Sequence, residues 1–158
     1  MKKMNTMHIE ASLVVHARPE TIYAVLADYH VGHAAIIPRP PFTGLEVESG
    51  GHGAGTMIRA HMKVFGTEFH YHQQVTEPEP GRVLMETDVD TGQYTQFIIK
   101  PVDGGAHAIV TIASEFPTAS GIKGFLERLT QPPVVRRIYL KELHILDEYV
   151  RQLSVSAN

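Results

Sequence analysis

Ten histidines, six tyrosines and no cysteine set the reactive inventory of this chain of 158 residues. Without cysteine there is no disulfide, thiolate metal site, iron-sulfur ligation or thiol nucleophile, so any chemistry falls to carboxylate, imidazole and phenol. The first place that gathers such groups is a hairpin. If Phe65-Gly66 is a two-residue turn between the runs Thr56 to Val64 and Thr67 to Thr76, His61 stands opposite His70, Ala60 opposite Tyr71 and Arg59 opposite His72. One face then carries Ile58, Ala60, Met62, Phe69, Tyr71 and Val75, and the other Arg59, His61, Lys63, Glu68, His70 and His72. Burial of apolar area gains about 25 cal/mol per Å², while an unpaired buried charge costs several kcal/mol, so the first face should look inward. Tyr71 and Gln73 become polar points in an apolar interior. On the outer face His61 and His70 are weak metal candidates. A catalytic zinc usually takes three protein ligands, and His72 or Glu68 would sit about 7 Å along the strand. The expectation is a solvated face and no metal.

A second place is the C-terminal helical stretch. Counted at 100° per residue from Ile138, Val134, Val135, Tyr139, Leu143, Leu146 and Val150 fill one arc, and Glu142 falls near its middle. A carboxyl there projects into apolar surroundings, where desolvation favours its neutral form and makes it a general acid or a ligand anchor. The plainer alternative is a carboxylate that snorkels outward or meets an inward Arg or Tyr. A third place is Asp28, Tyr29, His30 and His33, ahead of the apolar run Ala34 to Ile37. His30 or His33 would meet a ligand's polar head at a cavity mouth, or simply be solvated.

Other motifs are quieter. Gly50 to Gly55 (GGHGAG) lacks the Lys-Ser/Thr of a phosphate loop and reads as a flexible hairpin tip. The serines Ser12, Ser49, Ser114, Ser120, Ser154 and Ser156 stand in no Gly-x-Ser-x-Gly elbow. Arg136-Arg137 reads as a solvated helix face.

The elements that must position these groups follow from periodicity and turns. His8 to His16 alternates, placing Ile9, Ala11, Leu13 and Val15 on one side of a strand. Pro19 opens a helix to Tyr29, with Ile22, Val25, Leu26 and Tyr29 sharing a face. His30 to Pro41 has room for a helical turn or two. Six strands follow, Phe42 to Ser49, Thr56 to Val64, Thr67 to Thr76, Arg82 to Asp88, Gln93 to Lys100 and His107 to Glu115, with breaks short enough for antiparallel hairpins. A long helix runs from about Gly121 to Leu153, with Pro132-Pro133 marking a break or kink. Its second segment spans about 30 Å at ~1.5 Å per residue, the width of such a sheet. The expected fold is α+β: a curved seven-stranded antiparallel sheet around a long C-terminal helix, with one or two short helices after the first strand.

Composition bounds the partners. Fourteen Lys and Arg against 17 Asp and Glu give a net charge of -3, which is no nucleic-acid footprint, and protonation of all ten histidines would take it to +7. Hydrophobic residues make up 43%, enough for one core, so a single domain over residues 1–158 is expected. The polar start and the lack of any ~18-residue apolar run point to a cytoplasmic protein without membrane insertion. It would be a monomer or homodimer.

Several stretches carry a resemblance: ASLVVHARPETIYAVLADY (Ala11 to Tyr29), the Gly-Ala-Gly-Thr entry to a strand (Gly53 to Thr56), VTEPEPGRVLMET (Val75 to Thr87) and IIKPVDGGAHAIVTIASEF (Ile98 to Phe116). In these and in element order, over essentially the whole chain, the sequence resembles the START-like superfamily, called SRPBCC, of polyketide cyclases and dehydrases and lipid-transport proteins. The resemblance implies the helix-grip fold and a deep cavity between sheet and helix for an apolar or amphipathic small molecule. Many members carry tryptophan after the first helix and in a late strand; this chain has none, and Tyr29 or His30 stands near the first place.

The expected function is therefore binding of a lipid, polyketide or aromatic metabolite without a cofactor, in a cavity bounded by Ile58, Met62, Phe69, Tyr71, Gln73, Met85, Thr95, Phe97, Ile138 and Glu142. The alternative is a polyketide cyclase or dehydratase in which Tyr71, Glu142, His30 or His33 transfers protons. An enzyme needs two titratable groups converging on one point of the cavity, and a carrier needs only shape. An interaction domain, the remaining class, would show a large exposed apolar patch.

Overall fold

The computed structural model describes residues 5–118 and 121–157, the side chains of residues 121–130 excepted. Met1 to Met4 and Ser120, read above as part of a polar start and as an unremarkable serine, lie outside the described residues. The elements in chain order are β1 (Thr6–Val15), α1 (Pro19–Ala27), α2 (Gly32–Ile36), β2 (Phe42–Ser49), β3 (Met57–Val64), β4 (Thr67–Glu79), β5 (Val83–Asp88), β6 (Tyr94–Val102), β7 (His107–Pro117) and α3 (Gly121–Ser156). The strands make one antiparallel sheet in the order β1-β7-β6-β5-β4-β3-β2. This is the helix-grip architecture.

Strand formation follows the alternation of side chains. In β1, Met7, Ile9, Ala11 and Val15 are buried while Glu10, Ser12 and Val14 face out. The β3–β4 hairpin has the register that a two-residue turn demands, with His61 paired to His70, Ala60 to Tyr71 and Arg59 to His72. Both turn residues have positive φ, +48° at Phe65 and +80° at Gly66, as a mirror-image hairpin turn requires. Phe65 takes the position usually given to Asn or Asp and stands fully in solvent.

In α1, Pro19 at the first turn sacrifices no hydrogen bond, and Ile22, Val25 and Leu26 are buried on one face. The helix ends where a glycine loop grips it. Tyr29 N–H donates to Gly51 O at 2.8 Å and Gly53 N–H donates to Ala27 O at 2.9 Å. Gly51 N–H donates to the buried Thr56 hydroxyl at 3.0 Å, and Asp28 bridges to His52. Gly50 to Gly55 is thus not a flexible tip but a clamp for the α1–α2 corner, its amides spent on the Ala27 and Val75 carbonyls and on the Thr56 and Glu77 side chains. Within that corner α2 lies directly on α1, since a Cβ at Gly32 would stand 2.5 Å from Val25 O.

α3 continues through Pro132 and Pro133, so the proline pair interrupts hydrogen bonding without breaking the helix in two. Tyr139, Leu143, Leu146 and Val150 pack with Ile9, Val15, Phe97, Val110 and Ile112 in the main core. The far end of α3 is tied to the turn after β1. Asp147 accepts from His16 N–H at 2.8 Å and from Arg151 Nε at 3.1 Å, and the His16 imidazole lies at 3.0 Å. Among the described residues, no helix is long and apolar enough to cross a membrane.

Candidate functional site

Between the sheet and α3 lies a cavity of about 110 Å³. Its apolar wall comes from β3 (Ile58, Ala60, Met62), β6 (Phe97), β7 (Ile112, Phe116) and α3 (Val135, Ile138). The period-two alternation of the strands and the apolar arc of α3 place them there. Polar groups from Tyr71, Gln73, Thr95 and Tyr139 interrupt the wall. His33, Glu86 and Glu142 supply its only ionisable imidazole and carboxyls among the described residues.

These last groups converge at one corner. His33 comes from α2, Glu86 from β5 and Glu142 from α3, and all are buried. His33 Nε2 stands 3.4 Å from Glu86 Oε1 and 4.0 Å from Glu142 Oε1. The other imidazole nitrogen is fixed: Nδ1 donates to Leu26 O at 2.7 Å, because a carbonyl can only accept. Nε2 is thereby turned toward both carboxyls. Tyr29, buried at the end of α1, stacks on the His33 ring with centroids 4.4 Å apart and donates its hydroxyl to Glu86 Oε1 at 2.7 Å. Phe97 closes the other side of the ring edge-on at 5.2 Å.

Electrostatics separates the members of this corner. Burial, reinforced by the nearby Glu86 charge, holds the Glu142 carboxyl well above the usual carboxylate range and favours its neutral form. Burial and the adjacent Glu86 charge likewise hold the Tyr29 phenol protonated. Glu86 accepts the phenolic hydrogen bond from Tyr29 and has the His33 imidazole beside it. Along the wall, Tyr139 and Thr95 hydroxyls both meet the buried Ser114 hydroxyl, the latter at 2.6 Å. Tyr71 is raised by burial first and then by Asp88.

The structure sorts the expected residues. Ile58, Met62, Tyr71, Gln73, Thr95, Phe97, Ile138 and Glu142 line the cavity. Phe69 does not: it lies beyond Tyr71 toward the hairpin tip, stacked on that ring at 6.5 Å and partly in solvent. Met85 does not either, because β5 buries Leu84, Glu86 and Asp88 on its inner face and turns Met85 outward, where Gln96 reaches its sulfur at 3.7 Å. Three consecutive apolar residues, Val83, Leu84 and Met85, leave the phase of that strand open in sequence. Glu86 was missed for the same reason, although its spacing of two from Leu84 would have placed it once the phase was known.

Of the loop histidines, His33 is no mouth residue but sits at the cavity's inner corner. His30 stays outside, its Nε2 3.3 Å from Gly50 O. On the outer face His61 and His70 bond each other, Nδ1 to Nδ1 at 2.7 Å, and His72 pairs with Glu48 at 2.6 Å. No group of three His, Asp or Glu positioned for a metal occurs among the described residues.

Several solved structures are similar to this chain. The solution structure of KanY protein superposes with a TM-score of 0.80 at 23% identity, covering 94% of this chain and 99% of that one. Zhui aromatase/cyclase from Streptomyces sp. R1128 gives 0.71 at 20% identity, covering 94% and 96%. Norcoclaurine synthase from Thalictrum flavum, in complex with dopamine and hydroxybenzaldehyde, gives 0.68 at 17% identity, covering 94% and 88%. At these identities the likeness establishes the fold. No curated protein matches by sequence. The model of one family matches residues 6–151, and with the sheet, the gripped helix and the cavity between them it shows that the chain belongs to the polyketide cyclase/dehydrase and lipid transport family.

Proposed function

We propose that this protein binds a small apolar or aromatic molecule in the cavity between sheet and α3, with the polar end of the ligand at the His33–Glu86–Glu142 corner. The observation that carries the reading is the division of the wall into a broad apolar surface and a single ionisable corner, the usual composition of a small-molecule site. In scale, about 110 Å³ is below the ~150 Å³ of an apolar cavity that takes benzene, which limits the occupant to a one-ring compound at most. The test is calorimetric titration with one-ring aromatic alcohols against the wild type and Ala60→Phe, which puts a ring into the cavity from β3. Saturable binding that the substitution abolishes, while the far-ultraviolet spectrum is unchanged, is expected. Equal binding by both proteins would place the ligand elsewhere and refute the reading.

A second reading is proton-transfer catalysis next to a carbonyl, and the convergence of His33 with the two carboxyls favours it. Glu142 would donate to the carbonyl oxygen while His33 Nε2, backed by Glu86, would take the adjacent C–H proton. Its test is solvent-deuterium exchange at the α-carbon of a small aryl ketone. Acceleration by the wild type that falls about 100-fold or more in His33→Ala is the expected outcome; exchange at the uncatalysed rate refutes it.

A further inference from the structure

We infer that the ligand carries a protonated amine, with its ammonium against Glu142 and its apolar body along the aromatic wall; the inference rests on the binding reading above. Besides the phenols Tyr71 and Tyr139, the ionisable groups on the described wall are one imidazole and two carboxyls, and no lysine or arginine among the described residues lines the cavity. Two acids thus face a single imidazole, so one carboxyl has no basic partner on the described wall. That carboxyl is Glu142: it is 5% exposed, makes no hydrogen bond among the described residues, and has the His33 imidazole Nε2 4.0 Å from its Oε1. Glu86, in contrast, is engaged by Tyr29 and His33. A buried carboxyl with unfilled acceptor capacity, aimed into a cavity, is an incomplete site.

The rest of the wall fits the same cation. Gln73 is 7% exposed, lines the cavity and makes no side-chain hydrogen bond among the described residues, so its amide oxygen is available as a further acceptor. Tyr71, Phe97 and Tyr139 present ring surfaces that attract an organic cation. An anionic ligand would meet two carboxyls and no fixed cation, and is disfavoured by like charge. A neutral alcohol would fill the space but bring no cation to the Glu142 carboxyl.

Burial favours the neutral form of free Glu142; on arrival of R–NH3+ the O–H proton goes to solvent, and carboxylate and ammonium pair. The titratable groups facing Glu142 are His33 from α2, Glu86 from β5, Tyr29 at the end of α1, Tyr71 from β4 and Tyr139 on its own helix. The acidic members disfavour an ionised Glu142 in the free protein and stabilise the cation in the complex.

The experiment is calorimetric titration at pH 7 of 2-phenylethylamine, 2-phenylethanol and phenylacetate, in two buffers of different ionisation enthalpy, against the wild type and Glu142→Gln. The amine should bind about tenfold or more tighter than the alcohol, with phenylacetate weakest, and should release protons that the alcohol does not. In Glu142→Gln the amine should lose its preference over the alcohol. An alcohol that binds as tightly as the amine, a preference that survives in the variant, or amine binding without proton release each overturns the inference. The first of these leaves the binding reading intact, whereas no binding by any of the three compounds removes both. Proton release by the wild type tests the idea without the variant.

Discussion

Glu142 shows how a single side chain carries both a cost and a use. Its folded-state pKa lies above that of the unfolded chain, so between those values the native state holds a proton that the unfolded state has lost. Stability from this group is complete below the unfolded value near ~4.3 and drains away as pH rises toward the folded one, at up to about 1.4 kcal/mol per unit. Glu142→Gln removes the dependence. Urea unfolding should therefore show the two proteins nearly alike at pH 4 and the variant the more stable at pH 8; a wild type whose lead grows with pH would contradict the assignment. Glu142 and Tyr71 were legible in sequence because helical and strand periodicity aim them inward. Glu86 was not, since Val83 to Met85 offers two phases and only the pairing of β5 with β4 and β6 chooses between them.

At the scale of elements, the short α2 matters beyond its length because it delivers His33. Its distance from α1 is set by Gly32, which sits in helical conformation with backbone where a Cβ would go. Gly32→Ala should cost about 2 kcal/mol or more, read from chemical unfolding, because Val25 O cannot yield as a flexible side chain would. It should weaken ligand binding as well, by moving the imidazole away from the carboxyls. Gly55→Ala is the control: its φ of +90° makes alanine strained, but a Cβ there meets nothing, so ligand affinity should be unchanged.

The Asp147 tie is the other device at this scale. Burial alone would push its carboxyl up, but the His16 N–H and imidazole and the Arg151 guanidinium outweigh it and hold the group below the ordinary aspartate range. A depressed pKa contributes stability above the unfolded value near ~3.9, and that stability is lost as pH falls through the folded one. Asp147→Asn should thus cost about 1–2 kcal/mol at pH 7 and progressively less below pH ~4, measured by urea unfolding at both ends. A constant difference across that range would mean the carboxylate charge is not what holds α3 to the β1 turn.

For the whole molecule, hydrophobic content serves two purposes: most of it packs the face between sheet and α3, and the remainder surrounds a hollow. A ligand that binds only the native state raises apparent stability by RT ln(1 + [L]/Kd), about 2.7 kcal/mol at a hundredfold excess over Kd. Thermal unfolding with saturating 2-phenylethanol should shift the wild type upward by several degrees and leave Ala60→Phe unmoved. Sequence by itself determined the element order, the antiparallel sheet, the β3–β4 register and the apolar arc of the last helix, because each follows from local periodicity and turn chemistry. It also placed His61, His70 and His72 on the outer face. Only the tertiary structure brought His33, Glu86 and Glu142 to one corner, turned Met85 out and made a clamp of the glycine loop. Those outcomes depend on strand phase and on how α2 sits between α1 and α3, contacts between residues far apart in the chain that no local pattern encodes.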